Sequence, residues 1–196
     1  MFVSTFGPIT AIVFSLAGPA EADPRPAQSI ACQPQRETAD RPSPYDSATF
    51  RVGGQNARIC YSRPYAKGRT IFSADGLVKL GQIWRTGANE PTTIHLPVAA
   101  TIAGIEVGPG AYSLYTIPED GEWTVIVNRS TQQWGVESRY TEEIKAQEVG
   151  RAKVPSSKTP EHVEQFTIKG SRAGTGSDLV LEWERMRVSI PIRPAG

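Results

Sequence analysis

The chain has 196 residues, with 21 Lys and Arg against 20 Asp and Glu, for a formal net charge of +1. So even a balance leaves no long-range field to draw the protein to nucleic acid or to a membrane surface, and neither is expected as a partner. Its two cysteines, Cys32 and Cys60, are too few for a four-cysteine zinc site; they fit either one bridge in an oxidising compartment or a buried thiol at Cys60.

Residues 1–22 read as a secretory signal peptide. Ile9 to Ala17 is an apolar run too short to span a bilayer, and Ala20-Glu21-Ala22 has small residues where a signal peptidase needs them, so cleavage is expected before Asp23. The product would be periplasmic or secreted. Ser29-Ile30-Ala31-Cys32 lacks the large apolar residue of a lipoprotein box, so lipid anchoring is not expected. Residues 23–45 carry Pro24, Pro26, Pro34, Pro42 and Pro44 among small and polar side chains. That composition predicts a disordered tether, because it buries too little apolar surface to offset ordering entropy. The remaining residues, 46–196, are enough for one domain.

Within that domain, Ala48, Phe50 and Val52 alternate with Thr49 and Arg51, as in a half-buried strand. Gly53-Gly54 predicts a turn and 57–62 a returning strand, which Arg63-Pro64 ends. Further strands are expected at 83–86 and at 92–96, where His95 falls on the face opposite Ile94. Residues 100–102 and 105–107 predict a tight hairpin, and 111–117 with 122–128 the clearest strand pair. Residues 141–147 are the best helix candidate, with Glu142 and Glu143 at its start. Residues 153–161 look like a loop, 162–169 a strand, 170–177 a glycine-rich turn, and 179–183 with 186–192 a closing hairpin that reverses at Glu184-Arg185. Turn signals at this spacing predict an all-β fold: a single antiparallel β-sandwich, jelly-roll-like or Greek-key, with at most one short helix.

Potential chemistry concentrates between Arg58 and Arg85, where six cations (Arg58, Arg63, Lys67, Arg69, Lys79, Arg85) face one acid, Asp75. The bland reading is a solvated face attracted to the acidic stretch 119–148. The blocks R-P-Y-A-K-G-R-T-I-F (63–72) and W-R-T-G-A-N-E (84–90), with G-A-Y-S-L (110–114), W-T-V-I-V-N (123–128) and Trp134-Gly135, resemble a family of exported bacterial proteins that is a domain of unknown function. The resemblance runs from about Ser43 to the C-terminus. It implies a periplasmic or surface β-rich domain and brings no reaction with it.

The residues themselves suggest a cationic groove. Arg63, Lys67, Arg69 and Arg85, with Asn89, would give a carboxylate or phosphate charge-assisted bonds. Trp134 would be a stacking platform for a sugar ring, or simply packing. Arg85, next to Trp84, would need Glu90 or Glu164 as a buried partner if it points inward. The leading expectation is a non-catalytic binding or envelope-associated module for a small anionic or carbohydrate-like ligand. The alternative is a small acid-base hydrolase in which Glu90 and His95 are catalytic. No G-x-S-x-G accompanies them, 170–177 lacks the Lys-Ser or Lys-Thr of a phosphate loop, and His95 and His162 are too scattered to predict a metal. No cofactor is expected. Asn128-Arg129-Ser130, formally a glycosylation acceptor, reads as a strand end.

Overall fold

Eleven strands carry almost all of the regular structure in the computed structural model, which describes Met1 and residues 31–196. The predicted leader beyond Met1, and 23–30 of the predicted tether, lie outside the described residues. The strands are β1 (Tyr45–Val52), β2 (Gln55–Ser62), β3 (Phe72–Ser73), β4 (Val78–Lys79), β5 (Thr92–Leu96), β6 (Ala100–Ile102), β7 (Ile105–Val107), β8 (Gly110–Pro118), β9 (Glu122–Asn128), β10 (Glu148–Ala173) and β11 (Gly176–Pro194). Among the described residues the one α-helix is a single turn, α1 (Glu142–Lys145). The antiparallel all-β class expected from alternation and turn spacing is therefore the observed one.

Nine strands form one hydrogen-bonded order, β1-β2-β5-β8-β9-β10-β11-β6-β7, and β3 and β4 make a small parallel pair. The order turns back on itself at β10. Residues 148–155 of this strand pair with β9, and its later residues pair with β11. Register shifts between Lys158 and Thr167 mark the bend; an extra residue on one strand sharpens the local twist. The fold thus brings β1, and Tyr61 of β2, against the later part of β10. The Tyr61 hydroxyl accepts from the Ile168 amide at 2.9 Å, and the Tyr61 and Phe166 rings meet edge to face. Gly170 lies so close to Phe50 that a Cβ there would sit 2.5 Å from the Phe50 Cβ.

Between the inner faces lies a continuous core centred on Trp84, Trp123, Phe166 and Trp183. The Trp84 and Trp183 rings are stacked at 5.9 Å. Each such side chain contributes about 1.5–3 kcal/mol by leaving water, which is how a short-stranded chain offsets its ordering entropy.

Five local expectations differ from the structure. Residues 170–177 are not one glycine-rich turn: Gly170 to Ala173 pair with Leu179 to Gly176, and only 174–175 make the reversal. Residues 153–161 are strand rather than loop: 153–155 pair with β9 and 156–158 with β11, and the strand runs on past Pro160 through a register shift. The expected reversal at Glu184-Arg185 is a bulge: Glu184 has φ 54°, and β11 runs on through it to Pro194. Residues 83–86 form no strand; only Trp84 bridges, to Thr116. Finally, the described part of the expected tether is docked. Cys32 is bonded to Cys60, the Gln35 side-chain amide donates to the carbonyls of Thr131 and Gln133 at 3.2 and 2.7 Å, and Arg41 reaches Glu90. Low apolar content did not leave this segment free, because a covalent bond and polar contacts hold it. Of the two readings of Cys60, the bridge is the observed one. Oxidised protein unfolded in denaturant should therefore offer no thiol to an alkylating reagent until a reductant is added; labelling before reduction would show the bridge absent.

Candidate functional site

The W-R-T-G-A-N-E stretch folds into a tight loop between the Trp84 bridge and β5, and its backbone is strained. Thr86, a β-branched residue, has φ 57° and Asn89 has φ 63°, conformations that cost about 1–3 kcal/mol where the residue is not glycine. Surrounding bonds impose them. Trp84 and Thr116 exchange both backbone hydrogen bonds, at 2.7 and 2.9 Å, and the Trp84 indole donates to the Gly87 carbonyl at 3.0 Å. The Thr86 and Thr116 hydroxyls are 3.0 Å apart, and the Thr92 hydroxyl donates to the Thr86 carbonyl at 2.6 Å.

Over this loop lies the turn carrying Trp134-Gly135. The Gly135 amide donates to the Asn89 carbonyl at 3.0 Å, and Arg85 Nη1 donates to the Gly135 carbonyl at 3.1 Å. The same nitrogen pairs with Glu137 at 3.3 Å. Arg85 is thus paired as expected, but its acid is Glu137 rather than Glu90 or Glu164. Its Nε is buried with no hydrogen-bond partner.

Beside the loop opens a pocket of about 230 Å³. Its apolar lining comprises the almost fully buried Trp84, Trp183 and Val78 with Pro64, and Arg69, Arg85 and Glu137 supply its charge. Leu77, half exposed, sits at its mouth. The Arg69 guanidinium is held by its own loop: Nε donates to the Ala66 carbonyl at 3.0 Å and Nη2 to the Tyr65 carbonyl at 2.6 Å. Those carbonyls orient the cation without neutralising it.

The sequence-predicted residues therefore separate. Arg69 and Arg85 share the pocket. Arg63 is spent on the scaffold, donating to Asp46 at 3.0 Å, Thr167 at 2.9 Å and the Phe166 carbonyl at 3.1 Å. Lys67 is exposed outside the pocket lining, its amide donating to Glu164 at 2.8 Å. Asn89 ties Ser62 and the Ser43 carbonyl to the loop at 3.1 and 3.4 Å. The Trp134 ring is not an open platform, since the Arg36 guanidinium lies 4.0 Å over it. Asn128 is fully buried at the end of β9, its amide donating to the Ile144 carbonyl at 2.6 Å, so as a folded residue it offers no glycosylation site.

Glu90 and His95 are each held by other groups. Glu90 is 4% exposed and accepts from Arg41 Nη1 at 2.8 Å, with its Oε1 buried and unpartnered. His95 contacts the Thr93 hydroxyl at 3.1 Å. Alternation placed His95 away from Ile94, as observed, yet it too is buried. Burial, and then the nearby Arg58 cation, hold its imidazole below the ordinary histidine range. The unfolded chain therefore binds this proton more tightly than the folded one. The stabilising difference is fully present above the unfolded value near 6.5 and is lost as pH falls from there through the lower folded value. Urea midpoints should decline below about pH 6.5, and His95→Asn should flatten that part of the decline; an unchanged slope would mean His95 is not its source.

Sequence reasoning missed Arg41, because its proline-rich surroundings read as disordered. Among the described residues, no group of three or more His, Cys, Asp or Glu is placed to hold a metal, and no helix is long and apolar enough to cross a membrane.

A family model described as a protein of unknown function, DUF2911, matches residues 43–192. The chain belongs to this family. Neither a curated protein nor a solved structure matches it. The pocket, the strained loop and the Trp134-Gly135 turn all lie within the DUF2911 span, whereas Cys32, Gln35, Arg36 and Arg41 precede it. In this DUF2911 protein, then, a segment outside the matched domain supplies the cation that neutralises a buried acid inside it.

Proposed function

We propose that the protein is an exported, non-catalytic binding domain whose pocket takes a small anion with an apolar body. One observation carries this reading: Arg69 and Arg85 line a single pocket together with Trp84 and Trp183. Arginine suits that task, because its planar fork stays charged and matches a carboxylate or phosphate. A few polar groups over an apolar floor is the usual composition of a small-ligand site. Export is supported by the Cys32–Cys60 bridge, which belongs to an oxidising compartment.

The carbohydrate part of the expectation leaned on Trp134, whose ring faces Arg36. The acid-base alternative needs Glu90 and His95 to act together, and their nearest partners are instead Arg41 and Thr93. Neither reading gains support.

Thermal unfolding of the intact oxidised protein with 4-methylpentanoate, 3-phenylpropionate and neutral 4-methylpentanol tests the proposal. At a hundred times Kd, a bound acid should add about 2.7 kcal/mol to the apparent stability, and the alcohol much less. Equal stabilisation by acid and alcohol would contradict it.

A further inference from the structure

The pocket that admits an anion also holds a carboxylate. Both Glu137 oxygens accept from Arg85 Nη1 at 3.3 Å, yet the side chain is 45% exposed, so each oxygen keeps a further acceptor site open to a ligand. The charges lining the pocket therefore comprise Arg69, which forms no direct ion pair among the described residues and feels the Glu164 carboxylate only at longer range, and an Arg85–Glu137 pair. A bare anion drawn to the arginines meets repulsion from Glu137. A ligand that carries a cation next to its anion turns the same repulsion into attraction. Such a repulsive element is how a site rejects the wrong ligand.

We propose that the ligand is a zwitterion, an α-amino acid with an apolar side chain. This rests on the anion-pocket reading above and narrows it. The carboxylate lies against Arg69 and Arg85, the ammonium donates to Glu137, and the side chain rests on Trp84 and Trp183. Arg69 offers the carboxylate its Nη1 end, since Nε and Nη2 are the atoms spent on the Ala66 and Tyr65 carbonyls. Arg85 offers Nη2, since Nη1 is the atom spent on Gly135 and Glu137. Carboxylate and ammonium on one carbon are neighbours, as Arg85 and Glu137 are, so the two dipoles lie antiparallel. Size agrees: 230 Å³ is the room of about eight waters at about 30 Å³ each. That suits a single amino acid and is below the roughly 300–1,000 Å³ of drug-sized pockets.

The test is calorimetric titration of the intact oxidised protein with L-leucine, with 4-methylpentanoate, which is leucine without its amine, and with L-leucinamide, which lacks the carboxylate. Leucine should bind at least tenfold more tightly than either analogue. In Glu137→Gln, leucine should fall to the level of 4-methylpentanoate, and 4-methylpentanoate should be unchanged or tighter. If 4-methylpentanoate binds the unmodified protein as well as leucine does, the zwitterion proposal is overturned and the anion reading stands. If leucinamide matches leucine, or if no compound binds, both fall. The comparison on the unmodified protein decides even where Glu137→Gln fails to fold.

Discussion

Arg41→Ala should lower stability by about 3–5 kcal/mol, a large part of the 5–15 kcal/mol that holds a typical domain. The size follows from what is left behind. Glu90 is buried, with side-chain exposures of 8% for Arg41 and 5% for Glu90. Its second oxygen already has no partner. Removing the guanidinium strands a carboxylate where water does not reach. It also frees the carbonyls of Arg36 and Glu37, which Arg41 binds at 2.8 Å each. A buried pair is nevertheless weak support for stability in itself, since well-packed apolar replacements of both partners are often neutral or better. The double variant Arg41→Met, Glu90→Leu should therefore recover most of the loss. Urea unfolding of both variants checks this; an Arg41→Ala protein within about 1 kcal/mol of the parent would mean that Glu90 is not stranded.

Gly135→Ala is the second large effect. A Cβ there would lie 2.5 Å from the Asn89 carbonyl oxygen, 2.6 Å from Arg85 Cδ and 2.8 Å from the Glu90 carbonyl carbon. Two of these atoms are backbone of the strained loop, so the loop cannot rotate a side chain out of the way. Overpacking of this kind costs about 1–3 kcal/mol, and a backbone contact puts it at the upper end. Because the turn also supplies the carbonyl that holds Arg85, the same variant should weaken ligand binding. Retention of both the urea midpoint and ligand affinity would show that the turn relaxes freely.

Legibility in the sequence followed the range of the interaction. The 100–107 hairpin and the 110–128 strand pair were readable, because alternation and local glycines specify them within a few residues. The 153–161 stretch was not, since its prolines discourage a strand that only long ladders to β9 and β11 impose. Glu184 misled for a related reason. A charged pair between apolar runs signals a turn, but a bulge, here with Glu184 at positive φ, also accommodates it and lets the strand continue.

The site divided along similar lines. Of the cationic block, Arg69 and Arg85 meet in one pocket. Strand parity could not assign Arg63, whose partners Asp46 and Thr167 lie 17 and 104 residues away. Arg41 carried no local signal at all, because its partner Glu90 is 49 residues along the chain. The burial of His95 also exceeded what alternation predicts. Cys60, Ser62 and Ser113, which alternate with the inner-face residues Ile59, Tyr61 and Leu114, are buried as well. Their partners include Cys32, Arg41 and the Ser130 carbonyl, from segments that alternation does not describe.

The most direct measurement is titration of Arg69→Ala with leucine and 4-methylpentanoate beside its urea unfolding. Arg69 is exposed, and its bonds reach only neighbouring carbonyls. The fold should therefore survive within about 0.5 kcal/mol, while affinity for both compounds falls at least tenfold. Unchanged affinity in a fully folded Arg69→Ala protein would contradict an anion site in this pocket.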